Sequence, residues 1–196
     1  MIELIRSYPL ATVVRNIAGE LVADHVPLVL ANNETVLRGH VAINNSLSQE
    51  QPTDPVLVIF NGPSSYISPS WCPSKSADPA IVPTWNYVVV HVKGKLTQHS
   101  EPSWLYDHLV SLSAQSEASV REQWAVTDVP LEYFEKLVKG IVGIEIKISD
   151  FVGKWKTAII KPEENLASVT STLRGLQSVK TCEMASWIEQ RSNKKC

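Results

Sequence analysis

The sequence predicts a mainly β fold, a β-barrel with peripheral helices. Three observations carry this expectation. Residues 55–61 (PVLVIFN) are apolar on both faces, as a strand in the middle of a barrel wall must be. Residues 86–96 alternate, with Val88, Val90, Val92 and Leu96 facing one way and Tyr87, Val89, His91, Lys93 and Lys95 the other. Residues 141–149 (IVGIEIKIS) alternate strictly, with Val142, Ile144, Ile146 and Ile148 inward. Helix-type spacing enters only late in the chain.

Taken in order, residues 10–17 (LATVVRNI) are β-type, Ala18-Gly19 signals a turn, and 20–30 (ELVADHVPLVL) return as a strand. Asn32-Asn33 turns again into a strand at 35–42. Residues 43–51 are polar and suit a short helix. Pro102 fits a first helical turn, and Trp104, Leu105, His108, Leu109 and Leu112 recur at helical spacing, which predicts a helix over 102–113. A second helix fits 130–140, with Leu131, Phe134, Leu137, Val138 and Ile141 on one face. A turn is expected at 150–153 and a last strand at 154–160 (KWKTAII). Pro162-Glu163-Glu164 opens a helix with acids at its positive end, closing near Gly175. The tail 177–196 reads as weakly helical at most, with Met184, Trp187 and Ile188 able to dock on a neighbour. Six or seven strands result. Residues 1–160 form the barrel domain, with helices inserted over 102–140, and 161–196 a C-terminal helix and tail.

Composition narrows the function. The chain has 196 residues, 44% hydrophobic, with a formal net charge of −2. No whole-molecule field favours nucleic acid or an anionic membrane. No apolar run reaches the roughly 18 residues of a membrane span. The first residues lack the basic–apolar–small order of a signal peptide, so a cytoplasmic protein is expected. Cys72, Cys182 and Cys196 form no disulfide framework and no CxxC pair. The five histidines include no HxH or HxxxH pair, so no metal site is expected. There is no GxSxG, no P-loop and no paired carboxylate, and no residue stands out as a catalytic nucleophile or base. No helix pair reads as helix-turn-helix, so direct DNA binding is not expected.

Four segments carry candidate ligand chemistry. Arg38 and His40 share a strand face, with Gly39 between them and Asn44 nearby. A guanidinium, an imidazole and an amide can hold a phosphate, although a surface Arg and a half-buried His bonded to backbone is the plainer reading of the pattern. In 68–75 (SPSWCPSK) two prolines stiffen a loop where Trp71 can stack on a ring and Ser68, Ser70, Ser74 and Lys75 can meet an anion. An ordinary loop with Trp71 plugging a barrel end is the alternative. Thr84 and Asn86 share a face opposite Trp85, and an Asn can read the donor–acceptor edge of a ring. Lys154 and Lys156 share a face opposite Trp155 and suit a phosphate or plain solvation.

Read together, these segments resemble the PaiB family of FMN-binding split barrels, described as negative transcriptional regulators. The matching pieces are Tyr8–Val14, Ala23–Pro27, Leu37–Ala42 with Asn44, Val58–Pro63, Tyr66–Trp71 with Pro73–Lys75, Val82–Tyr87, Trp124–Val126, Ile141–Ile146 and Gly153–Lys156. The combination of SPSW, VPTWNY and GKWK makes the likeness specific. It implies a homodimer with one flavin mononucleotide per protomer near the subunit interface. The phosphate would lie near the strand at 35–44 and the loop at 68–75, the ring near His25–Pro27 and Thr84–Asn86. The cofactor-binding set is then His25, Val26, Pro27, Arg38, Gly39, His40, Asn44, Ser68, Trp71, Lys75, Thr84, Trp85, Asn86, Lys154 and Lys156.

Three departures from the family pattern weigh against the flavin. Cys72 stands where the family has Tyr, Asp24 where it has a small hydroxyl, and Thr157–Ile160 where it has Leu-Ser-Gln-Asn. The expected function is that of an FMN-binding, PaiB-like regulator. The alternatives are a flavin-dependent oxidoreductase or FMN reductase, and a cofactor-free interaction module on the same barrel.

Overall fold

Strands β1 (Leu10–Ile17) and β2 (Glu20–Pro27) form the hairpin that the Ala18-Gly19 signal predicts. Both turn residues have positive φ, 52° and 92°, the geometry whose twist matches the two strands. The Gly19 N–H also donates to Asn16 Oδ1 at 2.8 Å, which fixes the turn. A second tight connection, Asn32-Asn33-Glu34, has positive φ throughout and joins β3 (Val29–Ala31) to β4 (Val36–Ala42). A short helix α1 (Ile2–Ser7) precedes β1, and α2 (Ser46–Gln49) follows β4. Strands β5 (Val56–Ile67), β6 (Thr84–His99) and β7 (Ile141–Lys156) are long. Helices α3 (Pro102–Glu117) and α4 (Leu131–Val138) lie between β6 and β7. Helices α5 (Glu163–Gly175) and α6 (Val179–Asn193) close the chain. The strands join in the sheet order β2-β1-β5-β6-β7-β4-β3. The computed structural model describes residues 1–49, 55–78, 80–157 and 163–193.

The chain divides into two compact units, Met1–Phe60 with Val90–Val152 and Asn61–Val89 with Gly153–Cys196. The first unit buries Val13, Leu37, Phe60, Val92, Ile144 and Ile146 among others. Gly39 of β4 serves this packing. A Cβ there would meet Leu28 Cδ2 at 2.6 Å and the Pro27 carbonyl oxygen at 2.9 Å. The close approach that Gly39 allows is therefore to the Val26–Leu28 segment, side chains and backbone together. The second unit buries Ile67 and Val88 together with Val169, Leu173, Met184 and Ile188 from α5 and α6. Its loop forms two 3₁₀ turns, Pro69–Trp71 and Pro73–Ser76, each opened by a proline. The Ser74 N–H donates to Asn165 Oδ1 at 3.1 Å and Asn165 Nδ2 donates to Ser74 Oγ at 2.6 Å, clasping the loop to α5.

Three expectations need correction. No turn interrupts β7. The alternation there changes phase instead: Val142, Ile144 and Ile146 are buried, but farther on Phe151 and Trp155 are half-buried and Lys154 and Lys156 exposed. One extra residue slipped into the repeat keeps the strand and swaps its faces, as a bulge does. Strand β5 slips in the same way at Asn61-Gly62, while β6 keeps one phase from Asn86 to Leu96. The second correction is the tail. Residues 179–193 form a full helix, stabilised by burial of Met184, Ala185 and Ile188 rather than by propensity. The third is α4, whose supposed core face is largely open: Val138 is buried, but Leu131 and Leu137 are exposed. The segment 158–160 of the expected last strand lies outside the described residues.

Candidate functional site

The second unit presents an open aromatic and basic face. Trp85 and Tyr87 alternate on β6 with Asn86 and Val88, which are buried, so both aromatics point to the other side. Trp85 is 57% exposed. The Tyr66 ring, from β5, meets it edge-on at 6.2 Å. The phase slip in β7 puts Lys154 and Lys156 beside Tyr87, their ammonium groups 5.6 Å and 6.0 Å from the ring centroid. A hydrogen bond with the Tyr87 hydroxyl, and its charge, raise the Lys154 pKa above the ordinary lysine value. On the other side of the strand Trp155 packs against Trp187 of α6, at 6.3 Å between ring centroids. That contact holds β7 with the lysines outward.

The same unit contains the 68–75 segment. Ser68 caps the first 3₁₀ turn by accepting from Ser70 N, and its hydroxyl lies 2.7 Å from that of Ser70. Trp71 is half-buried and Lys75 exposed. Cys72 is buried, which raises its thiol pKa against the opposing pull of Lys75. A small residue filling a loop position accounts for it. Thr84 is half-buried and Asn86 wholly buried.

In the first unit Arg38 and His40 are engaged in contacts. Register sets Arg38 opposite Glu145, and Arg38 Nε donates to Glu145 Oε2 at 2.8 Å. The guanidinium also lies over the Trp104 ring, 5.2 Å from its centroid. His40 Nδ1 sits 3.0 Å from His108 Nε2 on α3. Val26 is buried, and His25, Pro27 and Asn44 are exposed. Asp24 accepts from the buried Arg15 at 3.3 Å and from Asn45 Nδ2 at 3.1 Å. Arg15 also donates to the hydroxyl and carbonyl of Ser46. The acid that breaks the family pattern is thus the counter-ion of a buried guanidinium. Tyr66 and Tyr87 were not among the expected site residues. Their signal was parity with Trp85 and the lysines, which becomes readable only once the phase of β5 and β7 is known. Among the described residues no group of His, Cys, Asp and Glu could hold a metal ion.

A family model described as "Putative FMN-binding domain" matches residues 1–150. The chain belongs to this FMN-binding-domain family. Among curated relatives of this family member, an uncharacterised protein of Emericella nidulans is 35% identical, over 79% of this chain and 77% of that one. Protease synthase and sporulation protein PAI 2 of Bacillus subtilis is 29% identical, over 93% and 87%. The PaiB-like resemblance therefore holds along almost the whole chain. Two solved structures resemble the fold. The FAD and heme binding protein of Mycobacterium smegmatis has a TM-score of 0.60 at 15% identity, over 85% of this chain and 75% of that one. The flavocytochrome Anf3 of Azotobacter vinelandii has 0.57 at 13%, over 84% and 72%. The fold is the split barrel, of β+α class. Lys154 and Lys156 lie beyond the stretch that the FMN-binding-domain model matches.

Proposed function

We propose that the chain binds flavin mononucleotide on the face made by Tyr66, Trp85, Tyr87, Lys154 and Lys156. The observation that carries the reading is the pairing of exposed aromatic rings with two ammonium groups on one side of three strands. A flavin offers a flat apolar ring and a phosphate. Trp85 and its neighbours would stack on the ring, and the lysines would meet the charge. Membership of the FMN-binding-domain family supports the choice of ligand. The engagement of Arg38 with Glu145 and Trp104 favours the lysines over Arg38 as the anion's partners. Once bound, the flavin would supply electron-transfer chemistry, with the protein positioning it.

The same reading makes the protein a cytoplasmic homodimer with the flavin near the subunit interface. A regulatory role draws support from the likeness to PAI 2, whose name ties it to protease synthesis and sporulation. Since no DNA-reading element is evident in the sequence, we take any effect on transcription to be indirect.

The test is the visible spectrum of the purified protein, then titration with flavin mononucleotide. Saturable binding is expected, weakened at least about tenfold by Lys154→Ala with Lys156→Ala. Trp85→Ala should cost about 1–3 kcal/mol of binding, the usual range for loss of an aromatic stack. Absence of binding would favour the cofactor-free module. Binding untouched by all three substitutions would move the site elsewhere.

A further inference from the structure

We propose that helix α3 is held to strand β4 by a proton-operated latch: the His108 imidazole docks on that of His40 only while uncharged, and acidification frees this turn of the helix. The geometry begins with burial. The His108 side chain is 0% exposed, and its Nε2 lies 3.0 Å from His40 Nδ1. Two neutral imidazoles share one proton across that distance, one donating and one accepting. The remaining nitrogen of His108, Nδ1, is buried with no hydrogen-bond partner among the described residues. A charged His108 would carry a proton on both nitrogens. Its Nδ1–H would then point at nothing that accepts it, and its Nε2–H would need His40 neutral as acceptor.

Among the described residues no carboxylate is placed to offset that charge, and Asp107, next to His108 on α3, is exposed to solvent. From β4 the groups facing the pair are His40 itself and the Arg38 cation. Glu145 on β7 is spent on Arg38 Nε. Strand β3 contributes only Val29, Leu30 and Ala31. On the 3₁₀ turn Val126–Asp128, Asp128 accepts from the Ala125 N–H. The acids and lysine of α4, Glu132, Glu135 and Lys136, are exposed to solvent. Burial first, then the charges of His40 and Arg38, lower the His108 pKa from 6.5 to about 4, and burial lowers that of His40 as well. A base held below its usual value binds its proton less readily when docked. Docking is thus complete above about 6.5 and is lost as the pH falls toward 4.

The first turn of α3 is attached differently. The Trp104 ring occupies the space that Gly143 leaves, where a Cβ would collide with it. It also stacks on His99, with centroids 4.4 Å apart and planes 4° from parallel. Trp104 does not titrate, and a protonated His99 would lie 3.7 Å from Glu101 Oε2. The Trp104 ring also stacks on His108, at 5.5 Å between centroids, so the titrating turn and the anchored first turn share one contact.

The test is amide exchange of the full chain between pH 7.5 and 4.5, corrected for intrinsic rates, with NMR titration of the His108 ring. Protection over 106–112 should fall at least tenfold relative to the strands between pH 6.5 and 4.5, ahead of the docked ring's own titration, which should lie well below 6.5. His108→Phe fills the same space without a titrating group, and its protection should be flat across that range. Flat protection in the wild-type chain, or a loss of protection that sets in above pH 6.5, would overturn the latch. The wild-type titration decides the matter even if the Phe variant does not fold.

Discussion

Arg15 is the largest side chain that the fold buries completely, and its neutralisation explains Asp24. In the sequence Asp24 stands out as an acid beside a possible phosphate. In the fold its carboxylate is 13% exposed and faces a guanidinium with no exposure at all. Register makes this inevitable: Val13 pairs with Asp24 and Arg15 with Val22, so Arg15 and Asp24 are diagonal neighbours on one face. Removing one partner of a buried pair strands the other charge. Asp24→Ser, which restores the hydroxyl common in the family, should lower stability by about 3–5 kcal/mol in urea denaturation. A change under about 1 kcal/mol would show that water reaches Arg15. The turn at Ala18-Gly19 was legible, and with it the register. The contact to Ser46 was not, because it joins residues 31 apart in sequence.

At the scale of elements, what the sequence shows well is periodicity that does not break. The alternation in β6 and the start of β7 placed Val88, Val90, Val92, Ile144 and Ile146 in the core, where they lie. Helix α3 was legible for the same reason. Helix α6 was not, since its apolar residues cover a narrow stripe amid polar ones and only docking reveals its purpose. The loop after β5 was recognised as rigid, but its anchor, Asn165, comes from a helix far along the chain. Asn165→Ala leaves the Ser74 N–H and hydroxyl without that partner. Stability should drop by about 1–3 kcal/mol, and the 68–76 loop should become the first site of limited proteolysis. An unchanged cleavage pattern would mean that the two prolines alone hold the loop.

For the whole molecule, the family was legible from short motifs, and the proposed flavin face only in part. Motifs name residue types, whereas a site needs to know which of them share a face, and two long strands change phase midway. Exposed apolar side chains such as Leu21, Val82 and Leu131 accord with the dimer that the family resemblance implies. Light scattering at micromolar concentration should give twice the chain mass, and a monomer would count against that assembly. The slip in β7 also sets a rule of arithmetic on length. Beyond the slip, from Phe151 to Lys156, the strand counts in twos, so deleting Val152 alone should turn Lys154 and Lys156 toward α6 and push Trp155 into water. Deleting Phe151 and Val152 together should restore both. Flavin titration of the two variants would read the difference. Seen this way, the stretch acts as a parity bit for the chain: one residue more or fewer inverts every later face of the strand, while two leave them unchanged.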